Sequence, residues 1–452
     1  MAKEIIIHQI TDWSKIDEKE GFWGRVDLLR PDINFGIHRY NNELWTSGMV
    51  GIGRLFDKNS IPVQDNGKEH ILVIKSSYDL EPWHMLETVM LDDEYDAYMA
   101  ELEAENKYLF NIFYDQPLIK VPQGIDNEAE ILFALSYVNA CHSLCKKGLK
   151  KSLIYHEENF TAKLRGKINV NKNIKHNTAK GRNDKFYCRY VDFTEDTVEN
   201  RIIKAALLKC QGMLKNRFHD ETSVKSKINF CLNSLRRVST SIIRNTDFNT
   251  SCVGGLYSYY KPVIQQARAI LSMNLKSYPE DVSNATGKYI YMIPYAINME
   301  TLFEYYARTE LKKAIGTSQY RVGKYSAKLF LQKDVQSTED GEKGIHLMPF
   351  CIPDIIIYEG NEPIIVIDAK YKLSSRADRA DSHQLMTYVL LTGVQKCGFI
   401  FPGKTTKVRE MKSSGDDYLC LSPKNLRYYE MFLGGISNDA ELKKFLREMT
   451  EM

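Results

Sequence analysis

The chain lacks the features that mark membrane-spanning, secreted and strongly basic proteins. No run of roughly 18 or more apolar residues occurs in its 452 residues, so no membrane span or membrane partner is expected. The formal net charge is only +3, so any attraction to nucleic acid must come from local basic patches. The N-terminus, MAKEIIIHQITDW, shows no signal-peptide pattern, and the nine cysteines are odd in number and scattered. These absences predict a globular cytoplasmic protein with reduced thiols.

One small group of cysteines stands out from this scatter. Cys141, His142 and Cys145 lie together in NEAEILFALSYVNACHSLCKKGL, whose apolar spacing predicts a helix. Zinc sites usually pair two such ligand groups in sequence, and no second pair follows nearby. The pattern therefore favours core or surface cysteines over a zinc site.

Changes of pattern along the chain predict an α+β multidomain protein of three regions. Residues 1–122 are expected to be β-rich, 123–287 mainly helical, and 288–452 a mixture of both. In the last region a helix is expected over MIPYAINMETLFEYYARTELKKAI, residues 292–315. Strands, a second helix and a further strand follow it, which indicates an α/β or α+β domain.

The stretch PDIIIYEGNEPIIVIDAKYK, residues 353–372, holds two short apolar runs separated by EGNEP. Gly and Asn followed by Pro between β-branched runs predict a β-hairpin centred near Asn361. In such a hairpin Asp354 lies directly opposite Asp368, and opposed residues share one face of the sheet. Lys370 follows Asp368 by two positions and therefore shares that face. The sequence thus predicts a cluster of two carboxylates and one ammonium group.

The predicted pair of carboxylates needs a positive partner. With Cβ atoms roughly 5 Å apart, one carboxylate takes up a proton unless a cation lies between the two. A hard divalent cation held by carboxylate oxygens meets this need. The alternative is a solvated strand end with an ordinary Asp–Lys ion pair, which is the usual meaning of an isolated D-x-K. The hairpin symmetry and the apolar strands favour the metal site.

The segment GFIFPGKT, residues 398–405, matches the phosphate-loop pattern G-x-x-x-x-G-K-[ST]. A phosphate loop follows a strand and opens a helix at its lysine, whereas here a strand is predicted inside the loop, from Phe399 to Phe401. Pro402 also removes a backbone N–H that a phosphate cradle would use. We therefore predict no nucleotide-binding residues; any nucleotide energy would come from another chain.

Two polar blocks stand out in the middle region. KLRGKINVNKNIKHNTAKGR, residues 163–182, has seven Lys and Arg and no acid, so it is either a surface for phosphates or acids or a solvated basic loop. In DFTEDTVENRIIKAALLKC, which follows, Asp196 or Thr197 is expected to cap a helix. Glu195, Asp196, Asn200 and Arg201 are interpreted mainly as the caps and brace of that helix, with a direct catalytic or GTPase role as the alternative.

Pro353-Asp354 followed by Asp368-Ala369-Lys370 resembles the motif of the PD-(D/E)xK nuclease superfamily. Many such nucleases carry an acid on the preceding helix, where this sequence has Glu304 in METLFEYY. Glu300, one turn earlier, is the alternative. This resemblance implies that residues 288–452 form a PD-(D/E)xK endonuclease-like α/β domain.

Neighbouring segments narrow the resemblance. Gln384 and Tyr388, in HQLMTYV, match the Q-x-x-x-Y helix of the RecB-like branch and share one helix face. DAKYK, with QLMTYV and FIFP beyond it, is similar to the McrC family, the nuclease subunits of McrBC-type modification-dependent restriction systems. LRGKI followed by DFTEDTVENRIIKAAL resembles the McrC pattern of a G-[RK]-I strand and E-D-T-x-x-N-R-I-[IL]-K. The resemblance is strong in 160–210 and 300–402 and weak before 125.

The McrC resemblance implies a DNA endonuclease that uses Mg²⁺, for which Mn²⁺ can substitute. Asp354, Asp368, Glu304 and the backbone carbonyl of Ala369 would hold the metal, whose bound water would be the nucleophile. Lys370 would orient or deprotonate that water, or stabilise charge on the phosphoryl oxygens. The supporting residues Gln384 and Tyr388 would position their helix or contact a DNA phosphate, or simply pack that helix.

The same resemblance implies two partners. One is an oligomeric AAA+ GTPase of the McrB type, contacted and stimulated by the region before the nuclease, expected at residues 123–287. The other is double-stranded DNA, with base methylation as a candidate mark. Two alternatives stay open: a stand-alone RecB-like nuclease in repair or defence, and a catalytically silent GTPase activator. The intact D…D-x-K set argues against the second.

Overall fold

The computed structural model describes residues 5–18, 21–78, 81–122, 129–215, 223–250, 254–275, 289–316, 319–324, 352–372, 377–411, 426–434 and 439–450. The strands are β1 (Ile5–Thr11), β2 (His38–Tyr40), β3 (Glu43–Trp45), β4 (Met49–Arg54), β5 (Gln64–Asp65), β6 (Lys68–Lys75), β7 (Phe110–Ile112), β8 (Ile119–Pro122), β9 (Ser152–Thr161), β10 (Lys167–Ile168), β11 (Lys185–Thr194), β12 (Tyr289–Met292), β13 (Tyr295–Asn298), β14 (Tyr320–Gly323), β15 (Ile355–Glu359), β16 (Glu362–Ala369), β17 (Lys396–Pro402), β18 (Lys407–Met411) and β19 (Arg427–Leu433).

The α-helices of the described residues are α1 (Pro82–Met90), α2 (Tyr95–Ala104), α3 (Ala129–Lys147), α4 (Val170–His176), α5 (Val198–Leu214), α6 (Ser223–Ser234), α7 (Asn245–Thr250), α8 (Tyr260–Leu275), α9 (Met299–Ile315), α10 (Arg379–Thr392) and α11 (Asp439–Thr450). This mixture of helices and sheets agrees with the α+β class expected from the sequence. Within the part of the chain that the structure describes, no helix is both long and apolar enough to cross a membrane.

The chain divides into two compact units. Unit 1 combines residues 1–113 with 294–452, and unit 2 comprises residues 114–293. The sequence analysis separated residues 1–122 from 288–452, whereas most of these two stretches belong to one unit. The reason is β13, which follows unit 2 in the chain but pairs antiparallel with β4 and β7 of the N-terminal stretch.

Unit 1 contains two six-stranded sheets. The N-terminal sheet has the order β1-β6-β4-β13-β7, with β5 at β6, and covers an aromatic and aliphatic core that includes Phe22, Trp23 and Phe35. The second sheet has the order β14-β15-β16-β17-β19-β18. The helix α10 packs against β16 and β17 of this second sheet, through Leu385 and Tyr388.

The predicted β-hairpin is confirmed as β15 and β16. Ile355 pairs with Ile367 and Ile356 with Val366, so the register is symmetric about position 361, as expected. A bulge after Ile357 shifts the pairs nearer the turn by one residue. Because the symmetric register holds at the far end of the hairpin, it brings Asp354, just before β15, to Asp368.

The helix expected over residues 292–315 begins later than predicted. The structure has strand β13 at Tyr295–Asn298, and α9 starts only at Met299. The side chain of Asn298 caps this helix by accepting a hydrogen bond from the backbone N–H of Thr301. The apolar spacing of YAIN did not distinguish strand from helix, because the strands that pair with it lie far away in sequence.

Unit 2 combines a helical bundle with a small sheet. The helix α3 packs against α5, α6 and α8, and their apolar faces form the core of this unit. Thr197 caps α5, as one of the two predicted candidates, by accepting a hydrogen bond from Asn200 N–H. The strands β10, β11 and β9 form an antiparallel sheet with β11 in the centre.

Candidate active site

Three side chains meet where the β15–β16 hairpin opens. Asp354 lies just before β15, and its Oδ2 accepts a hydrogen bond of 3.1 Å from the backbone N–H of Ala369. Asp368 lies in β16, and the Nζ atom of Lys370 is 2.9 Å from its Oδ2. The structure therefore brings Asp354, Asp368 and Lys370 together, as the hairpin symmetry predicts.

The carboxylate of Asp368 is completely buried, at 0% exposure. Lys370 lies at ion-pair distance, yet neither oxygen of Asp368 accepts a well-directed hydrogen bond from any described residue. Buried carboxylate oxygens normally accept hydrogen bonds or bind a metal, since an unsatisfied buried charge is costly. The orphaned oxygens of Asp368, with Asp354 beside them, fit a hard divalent cation such as Mg²⁺.

Burial and mutual repulsion raise the pKa values of these acids. Loss of hydration, followed by the charge of Asp368, raises the pKa of Asp354 to about 7. Burial also raises the pKa of Asp368, although Lys370 opposes this shift. For Lys370 itself burial favours the neutral form, but the attraction of Asp368 and of other nearby acids outweighs it and raises the pKa. Lys370 is therefore cationic beside the acids.

The helix α9 contributes a further acid to the cluster. Burial, followed by the charge of Asp354, raises the pKa of Glu304 to about 7. Its Oε1 accepts a hydrogen bond of 3.1 Å from Lys324, which also donates to Glu105 at 2.9 Å. Glu300 lines the same cleft; burial raises its pKa, and the charges of Lys370, Lys107 and Lys372 oppose that shift. Glu304 is thus the acid of α9 that interacts with Asp354.

A chain of hydrogen bonds runs from Lys370 into α10. Lys370 Nζ donates to Gln384 Oε1 at 3.0 Å, and Gln384 Nε2 donates to Tyr388 Oη at 2.6 Å. Tyr388 is buried against the sheet, whereas Gln384 faces the cleft. Gln384 and Tyr388, singled out from the Q-x-x-x-Y pattern, therefore connect the lysine to the helix core.

Two charged residues beside the cluster, Asp381 and Lys372, were not predicted from the sequence. Asp381, at the start of α10, lies 3.9 Å from Lys370 Nζ through its Oδ1. Lys372 donates to Asp381 at 2.6 Å and to Asp378 at 2.8 Å, and Asp378 and Asp381 together form the capping box of the helix. Lys372 could have been predicted, because it follows Lys370 by two positions and residues two apart in an extended chain point to the same side.

The N-terminal stretch supplies one wall of this cleft, whose volume is about 850 Å³. Trp13, His38, Tyr40 and Trp45 line it together with the acids, and the indole N–H groups of Trp13 and Trp45 are buried without a hydrogen-bond partner among the described residues. No local pattern marks these residues, because β2 and β3, which carry most of them, reach the cleft only through the tertiary fold.

Tyr371 fixes the N-terminal stretch to the end of β16. Its hydroxyl donates to Oδ2 of the buried Asp12 at 2.9 Å and lies 3.0 Å from Ser76 Oγ. Asp12 also accepts a hydrogen bond from Ser77 N–H. The residue that follows Lys370 is therefore held by the N-terminal sheet, which positions the lysine.

The E-D-T-x-x-N-R block forms a second polar cluster, in unit 2. Asp196 accepts two hydrogen bonds of 2.8 Å from Arg201 and further ones from Ser239. Asn200 is completely buried; it donates to the carbonyls of Lys150 and Glu195 and accepts from the Tyr260 hydroxyl. These contacts support the interpretation of this block as the brace of α5.

The basic segment lies on the small sheet of unit 2. None of the residues of β9 or α4 is buried. Arg165 pairs with Asp192 at 2.6 Å and stacks on Tyr190, while most of the other basic side chains are exposed. Large apolar side chains are exposed among them: Leu153, Ile154, Tyr155, Leu164, Ile168, Val170, Ile174, Val191 and Phe193.

The phosphate-loop look-alike is a strand in the structure. Phe399, Ile400 and Phe401 lie within β17, as predicted, and the next element is β18 rather than a helix. Gly398 has its Cα against the backbone of Tyr429, so its lack of a side chain serves strand packing. The pattern G-x-x-x-x-G-K-[ST] is thus accounted for by the sheet.

Residues 114–402 match the family model of the McrBC 5-methylcytosine restriction system component. The match covers more than half of the chain. The chain belongs to this family. Both blocks that carry the resemblance in the sequence, the E-D-T-x-x-N-R block and the D…D-x-K hairpin, lie inside the matched residues of this McrBC component.

Solved structures related to this McrBC component are distant. A chain of the refined half-complex from a tetradecameric assembly of Thermococcus gammatolerans McrB AAA+ hexamers with bound McrC is 13% identical, with a TM-score of 0.40, covering 98% of this chain and 100% of that one. A chain of the cryo-EM structure of the Thermococcus gammatolerans McrBC complex is 12% identical, with a TM-score of 0.30, covering 69% and 89%. No curated protein matches the chain significantly.

Proposed function

We propose that this McrBC component is the Mg²⁺-dependent endonuclease subunit of its restriction system. It cleaves DNA, with 5-methylcytosine as the mark, when it is assembled with an AAA+ GTPase of the McrB type whose activity it stimulates. The observation that supports the nuclease most strongly is the completely buried Asp368 carboxylate, which accepts no well-directed hydrogen bond from a described residue, beside Asp354 and a cationic Lys370. A structural carboxylate in that position would have been satisfied by hydrogen bonds.

The site residues have three proposed roles, which are to hold the metal, to stabilise charge on the phosphate and to position Lys370. Asp354, Asp368, Glu304 and the carbonyl of Ala369 are the groups that would hold Mg²⁺, which when bound lowers the pKa of water and polarises the phosphoryl group. Lys370, whose Nζ lies 2.9 Å from Asp368 Oδ2, would stabilise negative charge on the phosphoryl oxygens.

The remaining side chains position this lysine. Gln384 holds Nζ of Lys370 from the side of α10, and Tyr371 holds the backbone next to it from the N-terminal sheet. Such partners of catalytic groups typically contribute about 10–100-fold to activity. The order of the described elements supports this proposal: α9, β14, the β15–β16 hairpin, α10 and then β17, which is parallel to β16.

The cleft has the character of a nucleic-acid site. Lys107, Lys370 and Lys372 line it together with aromatic rings from the N-terminal stretch. Ammonium groups neutralise phosphates, and aromatic faces stack on bases that leave the duplex. We assign Tyr40, which is 62% exposed, as a DNA contact.

The small sheet of unit 2 is the proposed contact for the GTPase. Its cross-strand pairs Leu153–Phe193 and Tyr155–Val191 are exposed, which is unusual for large apolar residues of a chain that acts alone. Arg165 of the segment 163–182 pairs with Asp192, between Val191 and Phe193, and the exposed basic residues of this segment would face acidic groups of the partner. This assignment locates the stimulation in unit 2 and the cleavage in unit 1.

The deciding experiment uses this chain together with the AAA+ protein encoded beside it, GTP, Mg²⁺ and cytosine-methylated plasmid. Wild type, Lys370→Ala and Lys407→Ala are compared, with cleavage and GTP hydrolysis measured in the same tubes. Lys407 is an exposed lysine of the same sheet and serves as the control. We expect Lys370→Ala to lose cleavage but to keep full stimulation of GTP hydrolysis.

Other outcomes identify the alternatives. Cleavage by the chain alone, with Mg²⁺ or Mn²⁺ and without nucleotide, would establish a stand-alone nuclease. Stimulation of the GTPase without any cleavage by the wild type would establish a silent activator. Unchanged cleavage by Lys370→Ala would remove the proposed site.

A second experiment tests the proposed contact surface. Phe193→Ser removes the most exposed aromatic ring of the sheet, and Leu29→Ser removes an even more exposed apolar side chain of unit 1. We expect Phe193→Ser to abolish stimulation of the GTPase without lowering the thermal unfolding midpoint, and Leu29→Ser to leave stimulation unchanged. Equal stimulation by both variants would place the contact elsewhere.

A further inference from the structure

Three thiols from two helices of unit 2 converge at one buried point. Cys141 and Cys145 lie on α3, and Cys231 lies on α6, far away in sequence. Their sulfur atoms all lie within 4.8 Å of one another, and each residue is at most 9% exposed. The sequence pattern shows only the first two, which is why it favoured ordinary core cysteines.

The geometry of this thiol triad is close to that of a metal site. A Zn–S distance of about 2.3 Å places two sulfur ligands of a tetrahedral ion about 3.8 Å apart. Cys141 and Cys145 are four residues apart on one face of α3, and α6 packs against that helix. Small side-chain rotations therefore suffice to bring the three sulfur atoms into ligand distance of one ion.

We propose that Cys141, Cys145 and Cys231 bind one thiophilic cation of the Zn²⁺ class. Three thiolates are soft ligands, which select zinc and similar ions and disfavour Mg²⁺. The site is separate from the oxygen-rich cleft of unit 1 and does not depend on the proposed nuclease activity.

A metal at the triad would join α3 to α6. These helices are linked through a long stretch of chain that includes the small sheet and α5. A bound ion replaces part of the packing energy that would otherwise hold the two helices together. The triad would therefore stabilise the helical bundle of unit 2.

The test measures the metal content of the full-length chain, purified without a metal-affinity tag or chelator. We expect about one zinc per wild-type chain and its loss in Cys145→Ser and in Cys231→Ser. Cys210→Ser is the matched control, since Cys210 is a fully buried thiol of α5 outside the triad, and it keeps the zinc. Zinc retained by both triad variants would overturn the proposal.

A second measurement does not depend on the folding of any variant. Wild-type protein is stripped of metal under reducing conditions and titrated with Co²⁺. We expect thiolate-to-cobalt charge-transfer absorption and the intense visible bands of tetrahedral cobalt, both abolished by Zn²⁺. Failure of the wild-type chain to bind either metal would overturn the proposal and would identify the triad as core packing.

Discussion

Two polar clusters, one in each unit, contain similar residues but differ in the hydrogen bonding of their central acid and in the direction of its pKa shift. In unit 2, Asp196 accepts hydrogen bonds from Arg201 and Ser239, and Arg201, as the largest cause, lowers the pKa of Asp196. In unit 1, Asp368 accepts no well-directed hydrogen bond from a described residue, and burial raises its pKa. Satisfied acids stabilise a fold, whereas an unsatisfied buried acid destabilises it unless a ligand binds. The cluster around Asp196 therefore stabilises the fold, whereas the cluster around Asp368 is a candidate binding site.

The largest expected effect comes from Asp368→Asn. Loss of a metal-binding charge should reduce cleavage about 1000-fold. The same change should raise the thermal unfolding midpoint measured with a chelator, because the buried negative charge is removed. Asp196→Asn is the matched change in the other cluster and should lower the midpoint, since it weakens the pair with Arg201. Circular dichroism measures the unfolding midpoint of both variants, and a plasmid assay measures their cleavage. A lower midpoint for Asp368→Asn would contradict the prediction that the buried charge of Asp368 destabilises the fold.

The next effect concerns Asn200. Truncation by Asn200→Ala removes three hydrogen bonds in a completely buried place and should lower the free energy of unfolding by about 3 kcal/mol. Asn233→Ala, at an exposed position of α6, is the control and should change it little. Urea unfolding of both variants measures the difference. Equal stability would show that the cluster is not a brace.

Glu304 and Glu300 form a matched pair on α9. Glu304→Gln should reduce cleavage about 100-fold, because Glu304 interacts with Asp354 and is a proposed metal-binding group. Glu300→Gln should leave the rate near that of the wild type. Cleavage at several Mg²⁺ concentrations measures both. The reverse result would assign the role in the site to Glu300.

Gln384 should have a smaller effect. Gln384→Ala removes one hydrogen bond from Lys370 and should reduce cleavage about 10-fold, mainly in kcat, with stability unchanged. Tyr388→Phe removes only the partner of Gln384 and should reduce cleavage less. Steady-state kinetics compare the two. A large loss of stability in Gln384→Ala would mean that the residue serves helix packing alone.

The smallest effect is a dependence of stability on pH. The pKa of Asp354 rises from 3.8 to about 7 on folding, so its contribution to stability is full below the lower value and lost as the pH rises through the higher one. With chelator present, the midpoint of the wild type should fall between about pH 4 and pH 7. Asp354→Asn should show a weaker fall, and Mg²⁺ should stabilise the wild type more at the higher pH. A midpoint independent of pH would contradict the raised pKa.

Local patterns predicted the parts of the site that depend on neighbouring residues. The β-branched runs and the turn at Asn361 established the hairpin register, and with it the meeting of Asp354 and Asp368. The spacing of Gln384 and Tyr388 placed both on the same face of α10. These predictions succeeded because hairpins and helices are set by contacts only a few residues apart.

The sequence by itself determined the hairpin, the helix caps and the order of charged residues, because these follow from local backbone chemistry. Only the tertiary structure decided that YAIN is a strand, that Trp13 and Trp45 line the cleft, and that Cys231 joins the two cysteines of α3. Each of these depends on contacts between segments far apart in the chain. Such contacts form when apolar faces are buried together, and a short stretch of sequence does not specify which faces will pack against each other.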